Sequence, residues 1–141
     1  MTFDSRSVAD TESFAAEFAH TLKGGEVLAL HGEMAAGKTQ FVRGLVAGLS
    51  GDTRTVSSPT FVLLNVYDTP SLTVFHLDAY RLSGPDDFES IGFAELLEQP
   101  GAVIVVEWPT RVAPLLPPLT IHIHIDSTGP NRRTIQIRTS A

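Results

Sequence analysis

The sequence predicts an α/β fold built on a mixed, mainly parallel sheet with a C-terminal antiparallel hairpin. Three observations carry that prediction. Apolar runs of strand length alternate with amphipathic helical segments, the order of βα units. One strand–loop–helix passage is bounded by glycines in the manner of a phosphate-binding turn. The C-terminal segment alternates apolar and polar residues on both sides of a turn, the pattern of a hairpin.

Composition sets the limits. The 141 residues are 43% hydrophobic and 18% charged, enough for one core, so one domain spanning residues 1–141 is expected. A formal net charge of −6 disfavours a broad nucleic-acid-binding face, leaving Arg132 and Arg133 as a local basic pair. The absence of cysteine excludes disulfides, thiolate zinc sites and a cysteine nucleophile together. The start, "MTFDSRSVADTESF", lacks an apolar run of signal-peptide length, and no stretch approaches the roughly 18 apolar residues of a membrane span. The expected address is the cytoplasm, with no membrane contact.

The elements follow in order. Phe14, Phe18 and Leu22 share a helical face over residues 10–24, with Asp10 as N-cap and Gly24-Gly25 as the stop. "EVLALH" (26–31) reads as a buried strand, and Phe41, Leu45 and Leu49 mark a second helix ended by Gly51. "RTVSSPTFVLLNVYD" reads as a loop broken at Pro59 and leading to a strand. "SLTVFHLDAYRL" is a strand ending near Asp78. "SGPDDFESIGFAELLE" reads as one helix, with Ser83 as cap and acidic residues in its first turn. "AVIVVEW" (102–108) is the most apolar strand, followed by the proline-rich connector "RVAPLLPP". Leu119, Ile121, Ile123 and Ile125 then share one face, Ile135 and Ile137 repeat it, and "DSTGPN" supplies the hairpin turn.

The loop "HGEMAAGKT" (31–39) carries Gly32, Gly37, Lys38 and Thr39 in the pattern G-x-x-x-x-G-K-[ST], between a strand and a helix. Its interior, Glu33-Met34-Ala35-Ala36, has no glycine, but Ala35 and Ala36 are small enough for close backbone approach. Backbone N–H groups around residues 34–39 would converge on phosphates, aided by the following helix N-terminus. Lys38 would neutralise the β- and γ-phosphate oxygens, and the Thr39 hydroxyl would ligate Mg²⁺. The competing reading is a glycine-bounded connection whose lysine is merely solvated.

Phosphoryl transfer also needs a carboxylate for the metal and a group that orients water. Asp78 in "VFHLD" and Glu107 in "VIVVE" end apolar strands, where an α/β sheet faces its ligand crevice. Each alone is better read as a surface carboxylate at a strand end, whereas beside a phosphate loop at least one of the two reads as functional. The guanine-reading pattern [NT]-K-x-D is absent, since "NVYD" lacks its lysine, and little chain remains for the lid of a small-molecule kinase.

"GEMAAGKTQFVRGL", "SSPTFVLLNVY", "HLDAYRL" and "VVEWP" stand in the order and approximate spacing of the TsaE (YjeE) family. The sequence resembles these small bacterial ATPases of tRNA threonylcarbamoyladenosine (t6A) synthesis over roughly residues 10–110. Where the family usually carries Leu-Gly, this chain has Met34-Ala35. The resemblance implies a P-loop NTPase-like three-layer fold and an Mg²⁺-dependent ATPase, weak alone, that binds ATP and ADP. It implies the protein partners TsaB and TsaD, with tRNA reached only indirectly through them. Carried over by position, Lys38 and Thr39 match the phosphate and Mg²⁺ residues, and Asp78 matches the acidic Mg²⁺-site residue. Glu107 and Trp108 match the "E-W" pair at the nucleotide, Glu107 serving catalysis and metal. Thr60 matches a switch-like loop that senses the γ-phosphate. The alternatives are a nucleotide-sensing module with negligible hydrolysis and a small-molecule kinase.

Other residues have plainer readings beside functional ones. His122 and His124 read as the solvated side of an amphipathic strand, with a metal site as the alternative. His76, two residues before Asp78, shares its face and reads as a packed histidine or as support for the site. Trp108 reads as core or as pocket lining. Arg81 reads as an ion-pair partner of Asp78 or as a catalytic or partner contact.

Overall fold

Apolar strands form the centre of a seven-stranded sheet in the computed structural model, which describes residues 1–33, 36–59 and 63–139. The chain runs β1 (Thr2–Ser5), α1 (Val8–Ala19), β2 (Val27–His31), α2 (Lys38–Gly48), β3 (Leu64–Asp68) and β4 (Thr73–Asp78). It continues through α3 (Pro85–Ser90), α4 (Phe93–Leu97), β5 (Ala102–Glu107), β6 (Ile121–Ser127) and β7 (Arg133–Thr139). Short 3-10 segments lie at Thr53–Thr55 and Pro109–Leu115.

The strand order is β1-β7-β6-β2-β5-β4-β3. The four neighbours β6, β2, β5 and β4 are parallel, and β7 and β3 are antiparallel to their partners. Because β1 is antiparallel to β7, five of the seven strands run one way, as the expected mainly parallel sheet requires. The all-apolar stretch of β5 is explained by its place: every residue is buried, with layers on both faces.

Residue parity divides the core. Leu28, Leu30, Val103, Val105, Ile123 and Ile125 turn towards α1 and α2. Val27, Ile104 and Val106 turn to the other face, where Phe88, Phe93 and Val112 cover them. This is the expected three-layer arrangement. The two helices on the first face approach closely, since a Cβ at Gly44 would lie 2.3 Å from the Glu12 carbonyl oxygen.

Five local expectations are corrected. The N-cap of α1 is Ser7, whose side chain accepts from the Asp10 backbone N–H, while Asp10 accepts from the Arg6 N–H. α1 also closes at His20, before Gly24-Gly25. The single helix expected from Ser83 onward is two short ones. Gly92 sits between them at φ +89°, a left-handed conformation that interrupts the helix. Ser83 still binds Asp87 through both its N–H and its hydroxyl, but stands one residue before the Gly84 cap. Leu119 lies outside β6 and is 76% exposed. The edge strand β1 was not foreseen. The hairpin forms as expected, with Ile123 opposite Ile137 and Ile125 opposite Ile135. Among the described residues, no helix is long and apolar enough to cross a membrane.

Candidate functional site

The sheet register assembles the site. Leu30 of β2 pairs with Glu107 of β5, which pairs with Asp78 of β4, so three parallel strands end level. Asp78 and Glu107 share parity with Val74, Val105 and the rest of the face under α1 and α2. They are 2% and 3% exposed. Immediately above, β2 runs through His31 into the glycine-bounded loop and on into α2.

The loop geometry explains its fixed residues. A Cβ on Gly32 would come within 2.9 Å of the Ile125 carbonyl oxygen. Gly37 caps α2 at φ +108°, where side-chain-bearing residues are strained, and its carbonyl accepts the Phe41 N–H. Ala36 is buried, and its N–H donates to the Glu33 carbonyl. Glu33 is exposed and Thr39, the second residue of α2, is half-buried. Met34, Ala35 and Thr60 lie outside the described residues, so their expected contacts are not placed.

Lys38 lies at the centre. Its ammonium donates to the Gly32 carbonyl at 2.8 Å, stands 3.7 Å from Glu107 Oε1, and lies 4.1 Å from the Trp108 ring centroid. Burial holds it below the ordinary lysine pKa, and the charges of Glu107 and Asp78 oppose that shift. The solvated-lysine alternative does not hold: the side chain is 7% exposed. Trp108 lies between Lys38 and the second core. It faces Lys38, and its ring also packs against the second core beside Tyr80, at a left-handed φ of +56°.

The second Glu107 oxygen, Oε2, is bound by His76 Nε2, and Asp78 Oδ1 accepts the Tyr80 N–H at 2.7 Å. His76 is therefore both a packed residue and a contact of the site. Arg81 is exposed beyond Asp78. Arg133, one of the basic pair, donates from Nε to the Ala36 carbonyl at 2.7 Å and holds the loop from β7. Its role depends on β6 lying beside β2, which places the hairpin turn over the loop; no local pattern announces that.

His122 and His124 are half-buried beside a third imidazole, that of His31. His31 Nε2 is 3.0 Å from His122 Nδ1, and the His31 and His124 rings stack at 4.2 Å with 7° between planes. Stacked rings direct their lone pairs along parallel planes and do not converge on one ion. Among the described residues, no group of three or more histidines or carboxylates is placed to hold a metal.

Burial first, then the neighbouring His124, His122 and Lys38, push the His31 pKa from 6.5 to about 4. Above pH 6.5 the ring is neutral folded or unfolded. As pH falls from 6.5 towards about 4, the unfolded chain takes up a proton that the folded one refuses, so stability is lost across that window. We expect a loss of about 1–2 kcal/mol, allowing for partial solvent screening. Urea midpoints at pH 7.5 and 4.5 measure it, and His31→Asn should flatten the difference.

The described residues thus bring Gly32, Gly37, Lys38, Asp78, Glu107 and Trp108 together at one end of the parallel strands. A model of the family described as "Threonylcarbamoyl adenosine biosynthesis protein TsaE" matches residues 5–135. The tRNA threonylcarbamoyladenosine biosynthesis protein TsaE of Treponema pallidum is 42% identical over 133 residues, covering 94% of this chain and 96% of that protein. Its counterpart in Rickettsia typhi is 35% identical over 132 residues, covering 94% and 90%. The crystal structure of Bacillus subtilis YdiB is similar with a TM-score of 0.78 and 27% identity, over 100% of this chain and 86% of that one. The likeness agrees with the P-loop-like fold expected from the loop. With a family match over nearly its whole length and relatives this similar, the chain belongs to the TsaE family.

Proposed function

We propose that the chain is an Mg²⁺-dependent ATPase of the cytoplasm that serves tRNA N6-threonylcarbamoyladenosine modification together with TsaB and TsaD. The observation that carries this reading is the placement of Lys38 between its own loop and Glu107, level with Asp78. A buried lysine bonded to a loop carbonyl and beside a carboxylate is poised to exchange those partners for phosphate oxygens.

The whole chain, 1–141, acts in this reading as one P-loop ATPase domain. Gly32, Glu33, Met34, Ala35, Ala36, Gly37 and Lys38 form the phosphate cradle, and Thr60 senses the γ-phosphate. Trp108 lines the nucleotide site beside Lys38. Thr39, Asp78 and Glu107 offer a hydroxyl and two carboxylates, the hard oxygen donors that Mg²⁺ prefers. These residues would hold the ion, which supplies neutralisation of phosphate charge when bound. Glu107, anchored through one oxygen by His76, orients the attacking water with the other. The net charge of −6 suits a protein that meets other proteins and reaches tRNA only through them.

Steady-state hydrolysis tests the reading. Phosphate-loop enzymes lacking an arginine in place are slow, and supplying one in trans is worth about 10³–10⁵ in GTPases. We expect weak turnover alone and about tenfold or greater stimulation by the TsaB–TsaD pair, with tighter association in an ATP analogue than in ADP. By linkage, a partner preferring the ATP form raises ATP affinity by the same factor. Full activity alone, unchanged by the pair, contradicts the assembly role.

A further inference from the structure

We infer that His76 is the positioning residue of Glu107, and that Tyr67 ties it to the loop at Ser57. The inference rests on the proposed role of Glu107 in hydrolysis. His76 is fully buried and Tyr67 is 3% exposed, one on β4 and the other on the edge strand β3. His76 Nε2 meets Glu107 Oε2 at 2.5 Å, and its Nδ1 lies 3.1 Å from the Tyr67 hydroxyl. That hydroxyl is also 2.9 Å from the Ser57 carbonyl oxygen and accepts the Ser57 N–H at 3.2 Å. A continuous hydrogen-bonded line therefore runs from the segment three residues before Thr60 to the carboxylate beside Lys38.

Proton counting gives this line a function. The Tyr67 hydroxyl has one proton and two acceptors within reach, the Ser57 carbonyl and His76 Nδ1. When the Tyr67 proton points at Nδ1, the His76 ring is fixed with Nε2 directed at Glu107 Oε2. The Ser57 carbonyl and His76 Nδ1 therefore share one Tyr67 proton, so the position of Ser57 bears on the hydrogen bond that orients the His76 ring towards Glu107. The Asn65 side-chain amide also reaches the Ser57 carbonyl, at 3.1 Å, and can satisfy it while the Tyr67 proton turns to His76. Loop position and carboxylate aim are thereby coupled through two side chains that touch no substrate.

Tyr67→Phe carries the test, since it removes one oxygen and keeps the packing. Hydrolysis is measured with the partner pair present, beside melting temperature and nucleotide affinity, with Glu107→Gln as control. We expect kcat to fall about tenfold in Tyr67→Phe, with KM within twofold. His76→Gln places an amide N–H where Nε2 stood and should keep more kcat than His76→Asn, which restores only the Nδ1 side. A folded Tyr67→Phe protein with wild-type kcat, beside an inactive Glu107→Gln, overturns the inference and leaves the ATPase reading standing. A fully active Glu107→Gln protein overturns both.

Discussion

Lys38→Ala is expected to lower ATP affinity by a factor of about 100 or more. The ammonium bonds to the Gly32 carbonyl and lies 3.7 Å from Glu107, so groups of the protein itself fix its position. Charge-assisted hydrogen bonds are worth about 1.5–3 kcal/mol each, and 1.4 kcal/mol is a factor of ten in affinity. Loss of two such bonds to the β- and γ-phosphates gives the stated factor. The fold should survive, because the other Glu107 oxygen keeps its His76 partner, although a buried carboxylate with less compensation costs some stability. Lys38→Met separates the effects: it keeps the apolar stem against Trp108 and removes only the charge. Calorimetric titration of both variants, with circular dichroism to confirm folding, measures the result. Undiminished affinity in a folded variant contradicts the phosphate-loop reading.

The parts of this site that sequence made legible are those whose signal is local. Gly32, Gly37, Lys38 and Thr39 lie within eight consecutive residues, between a buried strand and an amphipathic helix. Asp78 and Glu107 stand out as candidates because each ends an apolar run, a position that sheet geometry makes special. Their level alignment with Leu30 was not legible, since register between β2, β5 and β4 is set by packing across 30 to 80 residues of chain. The same limit hid His31 as the third member of the histidine group: it stands far in sequence from His122 and His124, and only β2–β6 pairing joins them. Arg133 reached the loop by that pairing too. β1 is four residues of mixed polarity, held at the edge by backbone pairing with β7, so periodicity had almost nothing to register. Gly92 was tolerated in a helical pattern because a single glycine is a modest penalty, whereas here its left-handed φ ends the element.

Asp78 and Glu107, although neighbours at the same level of the sheet, are expected to fail differently when neutralised. Glu107 has one oxygen bound by His76 and the other facing Lys38, a carboxylate with a partner on each side beside the glycine-bounded loop. Asp78 has one oxygen held by the Tyr80 N–H, and its place on β4 sets it one strand further from the loop. Glu107→Gln keeps the shape and the contact with His76 but removes the charge that, in the proposed mechanism, orients or deprotonates water. Nucleotide affinity should stay within a few-fold of wild type, while hydrolysis drops about 10²–10⁴-fold, the range for removing a general base. Asp78→Asn should instead erase the difference between nucleotide affinity in Mg²⁺ and in a chelator, since an amide is a poor ligand for a hard cation. Titrations with and without Mg²⁺, beside single-turnover hydrolysis for each variant, separate the two outcomes. Exchanged phenotypes would mean that Asp78 aims the water and Glu107 is the carboxylate on which Mg²⁺ binding chiefly depends. Wild-type behaviour in both would remove the pair from the chemistry and leave the ends of β4 and β5 as structural carboxylates around a buried lysine.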